Sequence, residues 1–209
     1  MGFELARAAP PDREVVVATV VAAFVADPAF RYFFPDDATY ETQASAFARY
    51  LFDKRVGLGT VWIAQGGAIA ALWDPPAGTA EEQAVRPGHP ARLDLPADAL
   101  GRIEQYDCAV LPLLPTGPFW YLGVLATHPD QAGHRLGRRL MAAGVTTAHA
   151  DGLPAVLETM SPSNVELYRR EGWELVGHTD GPGADGVPTT WVLVNQPAAA
   201  RGNHPEERA

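Results

Sequence analysis

One cysteine, one lysine and three methionines stand in a chain of 209 residues. With Cys108 alone, no intrachain disulfide can form and no cysteine-rich zinc site is possible. A free cysteine of this kind is expected to be a small core residue. The single lysine, Lys54, excludes a phosphate loop built on Gly-Lys-Ser/Thr. The dinucleotide fingerprint G-x-G-x-x-G is also absent around residue 133. Positive charge is short: 16 Lys and Arg face 25 Asp and Glu, a formal net charge of -9. That balance argues against general binding to nucleic acid or an anionic membrane, and mildly favours a cationic substrate. No apolar run reaches the ~18 residues of a membrane span. The opening MGFELARAAPPDREV has no basic-then-apolar signal pattern. The expectation is a soluble, cytoplasmic protein.

A hydrophobic share of 47% is enough for a full core. Residues 3 to 9 read as a short strand, and Pro10, Pro11 and Asp12 as a helix start. Val16, Val17, Val20, Val21 and Phe24 recur at helical spacing, predicting a helix that ends near Asp27 and Pro28. The aromatic-rich AFRYFFPDD closes at a proline turn, and a second helix runs through Phe47, Tyr50, Leu51 and Lys54 to Gly57. TVWIAQGGAIAALWDPP reads as a hairpin around Gln65, Gly66 and Gly67. Residues 77 to 96 read as a mobile loop. A helix broken by Pro112 follows, then an apolar strand over 119 to 127 and a helix over 134 to 150. PAVLET is a strand, SNVELYRREG a helix stopped by Gly172, and WELVGHT and PTTWVLVNQ are strands joined by GPGADG. There is no internal repeat. The sum is one α/β domain with a mixed sheet over residues 1 to 196, followed by a polar, disordered tail over 197 to 209.

HPDQAGHRLGRRL, residues 128 to 140, gathers cations where a strand hands over to a helix. Arg138 and Arg139 fall in the first helical turn, the end that repels positive charge. The amides there lack intrahelical partners, so with the dipole they form an anion site. Gly133 and Gly137 let the chain turn tightly and approach a ligand. His134, Arg135, Arg138 and Arg139 add donors suited to phosphate. An ordinary strand-to-helix turn with solvated arginines is the alternative.

LGVLATHPDQAGHRLGRRLM, followed by LETMSPSNVELYRREGWELVG, resembles the GNAT acyltransferases, which use acetyl-CoA. The first piece is similar to their pyrophosphate loop: Gln or Arg, two free positions, Gly, one free position, then Gly or Ala. The second is similar to their Asn-x-x-x-Tyr helix. AAFVADPAFRYFFPD, KRVGLGTVWIAQGGAIAALWDPP, PFWYLGVLATHPDQAG and PTTWVLVN extend the likeness to the puromycin N-acetyltransferase group, over roughly residues 3 to 195. Two positions depart from the pattern: Ala132 replaces Gln or Arg, and Arg135 replaces Gly.

The resemblance implies a GNAT-like, largely antiparallel central sheet with flanking helices. It implies transfer of an acetyl group from acetyl-CoA to the primary amine of a small molecule, by direct attack in a ternary complex. Leu125, Ala126 and Thr127 would offer backbone groups to the pantetheine, with the Leu125 N–H on the thioester oxygen. Ala132, Gly133, His134, Arg135, Leu136, Gly137 and Arg138 would hold the pyrophosphate. Asn164 would bond the pantetheine arm, and Tyr168, one helical turn on, would be the general acid. Glu158, ending the strand VLET, is the candidate base, though it also fits a solvated or salt-bridged carboxylate.

Phe24, Tyr32, Phe33, Trp73, Phe119 and Trp120 could line a pocket for an aromatic or nucleoside-like amine, although such residues also suit the core. His89, His128, His149 and His178 show no ligand spacing, so no metal is expected. Oligomeric state is open between monomer and homodimer. Two rival functions stay open: action on a protein amine, and a non-catalytic acyl-CoA-binding sensor or interaction module.

Overall fold

A computed structural model describes residues 4–76, 93–133, 135–181 and 186–198. Seven strands form one sheet: β1 (Leu5–Arg7), β2 (Val61–Ala64), β3 (Ile69–Asp74), β4 (Trp120–Thr127), β5 (Ala155–Thr159), β6 (Glu174–His178) and β7 (Trp191–Asn195). Their spatial order is β1-β2-β3-β4-β5-β7-β6. Only β4 and β5 run parallel; every other neighbouring pair is antiparallel. This is the mixed, largely antiparallel sheet with flanking helices that the resemblance implies.

Helices cover both faces. On one lie α1 (Arg13–Ala23), α2 (Pro28–Phe33), α3 (Asp37–Val56) and α4 (Ala97–Val110). Their buried residues, among them Val16, Phe30, Phe52 and Tyr106, share a core with Val61, Leu72, Tyr121 and Val156 of the sheet. On the other face lie α5 (Leu136–Ala150) and α6 (Pro162–Arg170). There Leu140, Met141 and Val165 pack with Trp62, Trp73, Trp120 and Leu157. Alternation along each strand splits its side chains between the two layers.

Several boundaries differ from the sequence expectation. The opening strand is confined to Leu5–Arg7. The first helix stops at Ala23, and the aromatic segment, given no element in the sequence reading, forms α2 before its closing proline. Asp27 is the cause: its Oδ1 accepts from the N–H groups of Ala29 (2.9 Å) and Phe30 (3.1 Å), and Pro28 fits the first helical position. Cys108 is exposed on α4, not a core residue. Pro112 ends the regular α4, and Leu111–Leu113 form a single tighter turn. The loop reading of 77 to 96 falls largely on 77–92, outside the described residues, as do His89, His134, most of GPGADG and the tail from 199.

Candidate active site

The site begins with a break in the sheet. Strands β4 and β5 pair over Trp120–Leu122 and Ala155–Leu157. Beyond Leu122, β4 continues along β3 to Thr127, and among the described residues no further β4–β5 pairing is present. A wedge therefore opens between the two parallel strands.

A bulge sets which backbone groups face that wedge. Leu72 stands opposite Val124 and Trp73 opposite Leu122, so Gly123 is an extra residue in β4. Trp120 N–H donates to Pro154 C=O (2.9 Å), on the β5 side, whereas His128 N–H donates to Ala68 C=O (2.8 Å), on the β3 side. Uninterrupted alternation would send both even-numbered amides the same way. With the bulge between them, the N–H groups of Leu125 and Thr127 turn away from β3 and into the wedge.

The wedge joins the two layers in one cavity of about 190 Å³. From the α5–α6 side come Leu125, Leu157, Thr159, Asn164 and Tyr168. Asn164 Nδ2 donates to Thr159 Oγ1 (3.3 Å). The Tyr168 ring packs against Trp173 with centroids 6.1 Å apart, and burial pushes its phenol up to about 12. It is a proton holder, not a phenolate, at neutral pH. Asn164 and Tyr168 thus share the cavity-facing side of α6, as their spacing predicts.

From the α1–α4 side come Glu158, Tyr106 and an aromatic wall that includes Phe24, Phe30, Phe33 and Phe47. Phe33 meets Tyr106 edge-on at 5.2 Å. The Tyr106 phenol is raised well above its ordinary value, first by complete burial and then by the negative charge of Glu158, to which it hydrogen-bonds. Of the six aromatic residues expected to line an acceptor pocket, only Phe24 and Phe33 do so. Trp73 and Trp120 face the opposite layer, under α5, and Trp120 Nε1 donates to Asp151 Oδ2 (2.8 Å). Phe119 is buried in the core, and Tyr32 donates its hydroxyl to Gln105 Oε1 (2.8 Å) away from the cavity.

Besides Glu158, the wall carries charged residues that no local pattern in the sequence marks. Asp27, Asp74, Asp107 and Glu158 line the cavity with Lys54 and Arg55. Burial raises the pKa of Asp27 against the opposing pull of its two backbone hydrogen bonds. Arg55 is 2% exposed and grips Asp74 with two bonds, Nε to Oδ1 (2.9 Å) and Nη2 to Oδ2 (2.6 Å). Lys54 Nζ lies 3.2 Å from Asp74 Oδ1. Asp74 is the last residue of β3, just ahead of Pro75 and Pro76.

The turn before α5 completes the surroundings. Gly133 has φ 86°, and Arg135 adopts φ 56°, ψ 20°, the left-handed conformation that glycine takes most easily. Arg135 is exposed, and the free amides of Leu136, Gly137 and Arg138 begin the helix. A Cβ on Gly137 would approach Thr127 Oγ1 to 3.1 Å, so the small residue lets the head of α5 sit close to the end of β4. The Arg138 side chain does not point a spare charge outward: it pairs with Glu171, just past α6. Ala132 is exposed, Ala126 is buried on the α1–α4 side, and His134 lies outside the described residues. Free amides, positive-φ turns and an open strand edge are a donor set suited to a pantetheine arm and a diphosphate. Among the described residues, no group of three or more His, Cys, Asp or Glu could hold a metal ion.

The model of the acetyltransferase (GNAT) family matches residues 22–173. The chain belongs to the GNAT acetyltransferase family. Solved structures similar to this GNAT chain include the histone acetyltransferase HPA2 and related acetyltransferase from Corynebacterium glutamicum, at 22% identity and TM-score 0.67, covering 95% of this chain and 98% of that one. A polyamine N-acetyltransferase from Drosophila melanogaster, an enzyme that forms N-acetylagmatine, is 16% identical with TM-score 0.64 over 93% and 100%. A mosquito arylalkylamine N-acetyltransferase-like protein, 5b, is 17% identical with TM-score 0.59 over 93% and 100%. At these identities the likeness is one of fold, and the β4–β5 wedge lies near the middle of the seven-stranded sheet.

Proposed function

We propose that this GNAT acetyltransferase is a cytoplasmic monomer or homodimer whose catalytic unit spans residues 1–196. In this reading it moves an acetyl group from acetyl-CoA to the primary amine of a small molecule, by direct attack within a ternary complex. The observation that carries the reading is the single cavity across the β4–β5 wedge. It brings Tyr168 and Asn164 from one layer together with Glu158 from the other, beside Leu125.

Acetyl-CoA, when bound, supplies an activated acyl group as a thioester. The residues have four tasks. The free amides at the head of α5, with the Gly133 and Arg135 turn, hold the diphosphate. The Leu125 and Thr127 edge and the Asn164 side chain hold the pantetheine arm. The Leu125 N–H points into the wedge, where it donates to the carbonyl oxygen as that atom gains charge; a preorganised donor of this kind contributes on the order of 3 kcal/mol. The Tyr168 phenol supplies the proton required by the departing sulfur.

The acceptor must attack as a neutral amine, yet a primary amine is protonated in water. In this reading Glu158, in the cavity wall, relays that proton away, directly or through a water. Four carboxylates against two cations give the wall an acidic excess that draws an ammonium in from solvent. The phenylalanine wall favours an acceptor with an apolar, aromatic part, and holding both partners at attack distance lowers the barrier further. An antibiotic-like amine fits this description, as does the arylalkylamine class named for one structural neighbour, whereas the polyamine class named for another fits the acidic wall alone.

The test pairs calorimetry against acetyl-CoA with a thiol-release assay over aryl-alkyl amines, polyamines, aminonucleosides and peptide N-termini. Cofactor binding with turnover of small amines is expected. Cofactor binding without turnover on any amine would make the chain a sensor, and a preference for peptide termini would move the acceptor to protein.

A further inference from the structure

The guanidinium of Arg55 is pressed against the bulge in β4. A Cβ built on Gly123 would lie 2.5 Å from Arg55 Nη2 and 3.4 Å from its Cζ, so the Gly123 backbone and the guanidinium occupy adjoining space with no room for a side chain between them. The guanidinium is not free to swing aside. It is 2% exposed, tied to Asp74 by two bonds, and its Nη1 donates to Leu51 C=O at 2.9 Å. Asp74 itself ends β3, opposite Tyr121 and two residues before the bulge on β4. One side chain therefore links α3, the end of β3 and the irregular point of β4.

A charged group in such a place needs a reason. Burying an ion pair gains little stability over an apolar replacement of equal shape, so its retention points to a geometric role. The bulge is the element that turns the Leu125 N–H into the wedge, and a bulge is a locally soft part of a ladder. We propose that Arg55 is a positioning residue: its fork, fixed by Asp74, braces the Gly123 bulge and thereby holds the Leu125 N–H on the reacting carbonyl oxygen. This rests on the acetyl-transfer reading above, and specifically on Leu125 as oxyanion donor.

Two variants approach the brace from opposite sides. Gly123→Ala displaces the guanidinium from below. Arg55→Lys keeps the charge and removes the fork, which a lysine cannot reproduce. Should either fold poorly, the double variant Arg55→Met with Asp74→Leu replaces the pair by apolar side chains and leaves only the charge of Lys54, whose long stem can carry it toward solvent. Wild type and variants are compared by thermal unfolding, calorimetry with CoA, and kcat and KM for acetyl-CoA. Misplacing an oxyanion donor is expected to lower kcat about tenfold or more, with CoA affinity unchanged within about twofold. Wild-type kcat in folded Arg55→Lys or in the folded double variant would overturn the proposal, as would a fall in kcat matched by an equal fall in CoA affinity. Loss of the underlying reading looks different: wild type itself would then bind no CoA or acetylate no amine.

Discussion

Gly144 of α5 lies flat against the indole of Trp73: a Cβ at 144 would come within 2.2 Å of Cε2 and 2.5 Å of Nε1. The helix is seated on β3 through this contact, and Trp73 is fully buried beneath it. Because the ring is rigid and enclosed, it cannot yield as a flexible chain end would. Gly144→Ala is expected to destabilise the fold by about 1–3 kcal/mol through overpacking, despite alanine's better helix propensity. Chemical denaturation should show a lower midpoint at an unchanged slope. An unchanged midpoint would mean that α5 slides without penalty.

Tyr168→Phe keeps the ring against Trp173 and removes only the hydroxyl. The expected result is a drop in kcat of about a hundredfold, within the range for a lost general acid, with CoA affinity preserved. Single-turnover rates and calorimetry on the same preparation check both halves. Equal turnover would remove the acid role.

The pH dependence follows from burial. The Tyr168 phenol is held up to about 12, above the ~10 of a free tyrosine. The folded state thus favours the neutral form. That preference is fully present below about 10 and is lost as pH climbs toward about 12. A plot of kcat against pH should therefore show no downward limb from this group up to about 10. A limb near 9 that vanishes in Tyr168→Phe would contradict it.

Arg135 holds a left-handed backbone at φ 56°. That conformation costs a non-glycine residue roughly 1 kcal/mol, so Arg135→Gly should raise stability by up to about that amount. The same change removes a charged donor beside the free amides of α5, and CoA affinity should fall about tenfold. Thermal unfolding and calorimetry separate the two effects. Tighter CoA binding in the glycine variant would show that the arginine obstructs the site.

Local rules made much of this legible. The order of strands and helices follows from periodicity and from stops such as Gly172, whose φ of 82° suits a helix end. Asn164 and Tyr168 are one turn apart, so their common face needed only the helical period. What stayed hidden was mostly pairing at long range. Tyr106 meets Glu158 across 52 positions of chain, and Arg55 meets Asp74 across 19; nothing local marks either. The aromatic residues show a different limit. Trp73 and Trp120 are apolar strand residues like any other, and a sequence does not state which layer a strand face meets. One boundary needs no long-range knowledge: Asp27 followed by Pro28 is a helix start, although periodicity alone places a helix end there.

The extra residue at 123 also divides β4 into two stretches of opposite parity. Ahead of it, the even-numbered Trp120 and Leu122 enter the α5–α6 layer; behind it, the even-numbered Val124 and Ala126 enter the other. Excising that one glycine would shorten the strand by a single step, yet would invert every position from 124 to 127. Side chains of one layer would pass to the other, and the amide aimed at the wedge would be consumed by β3.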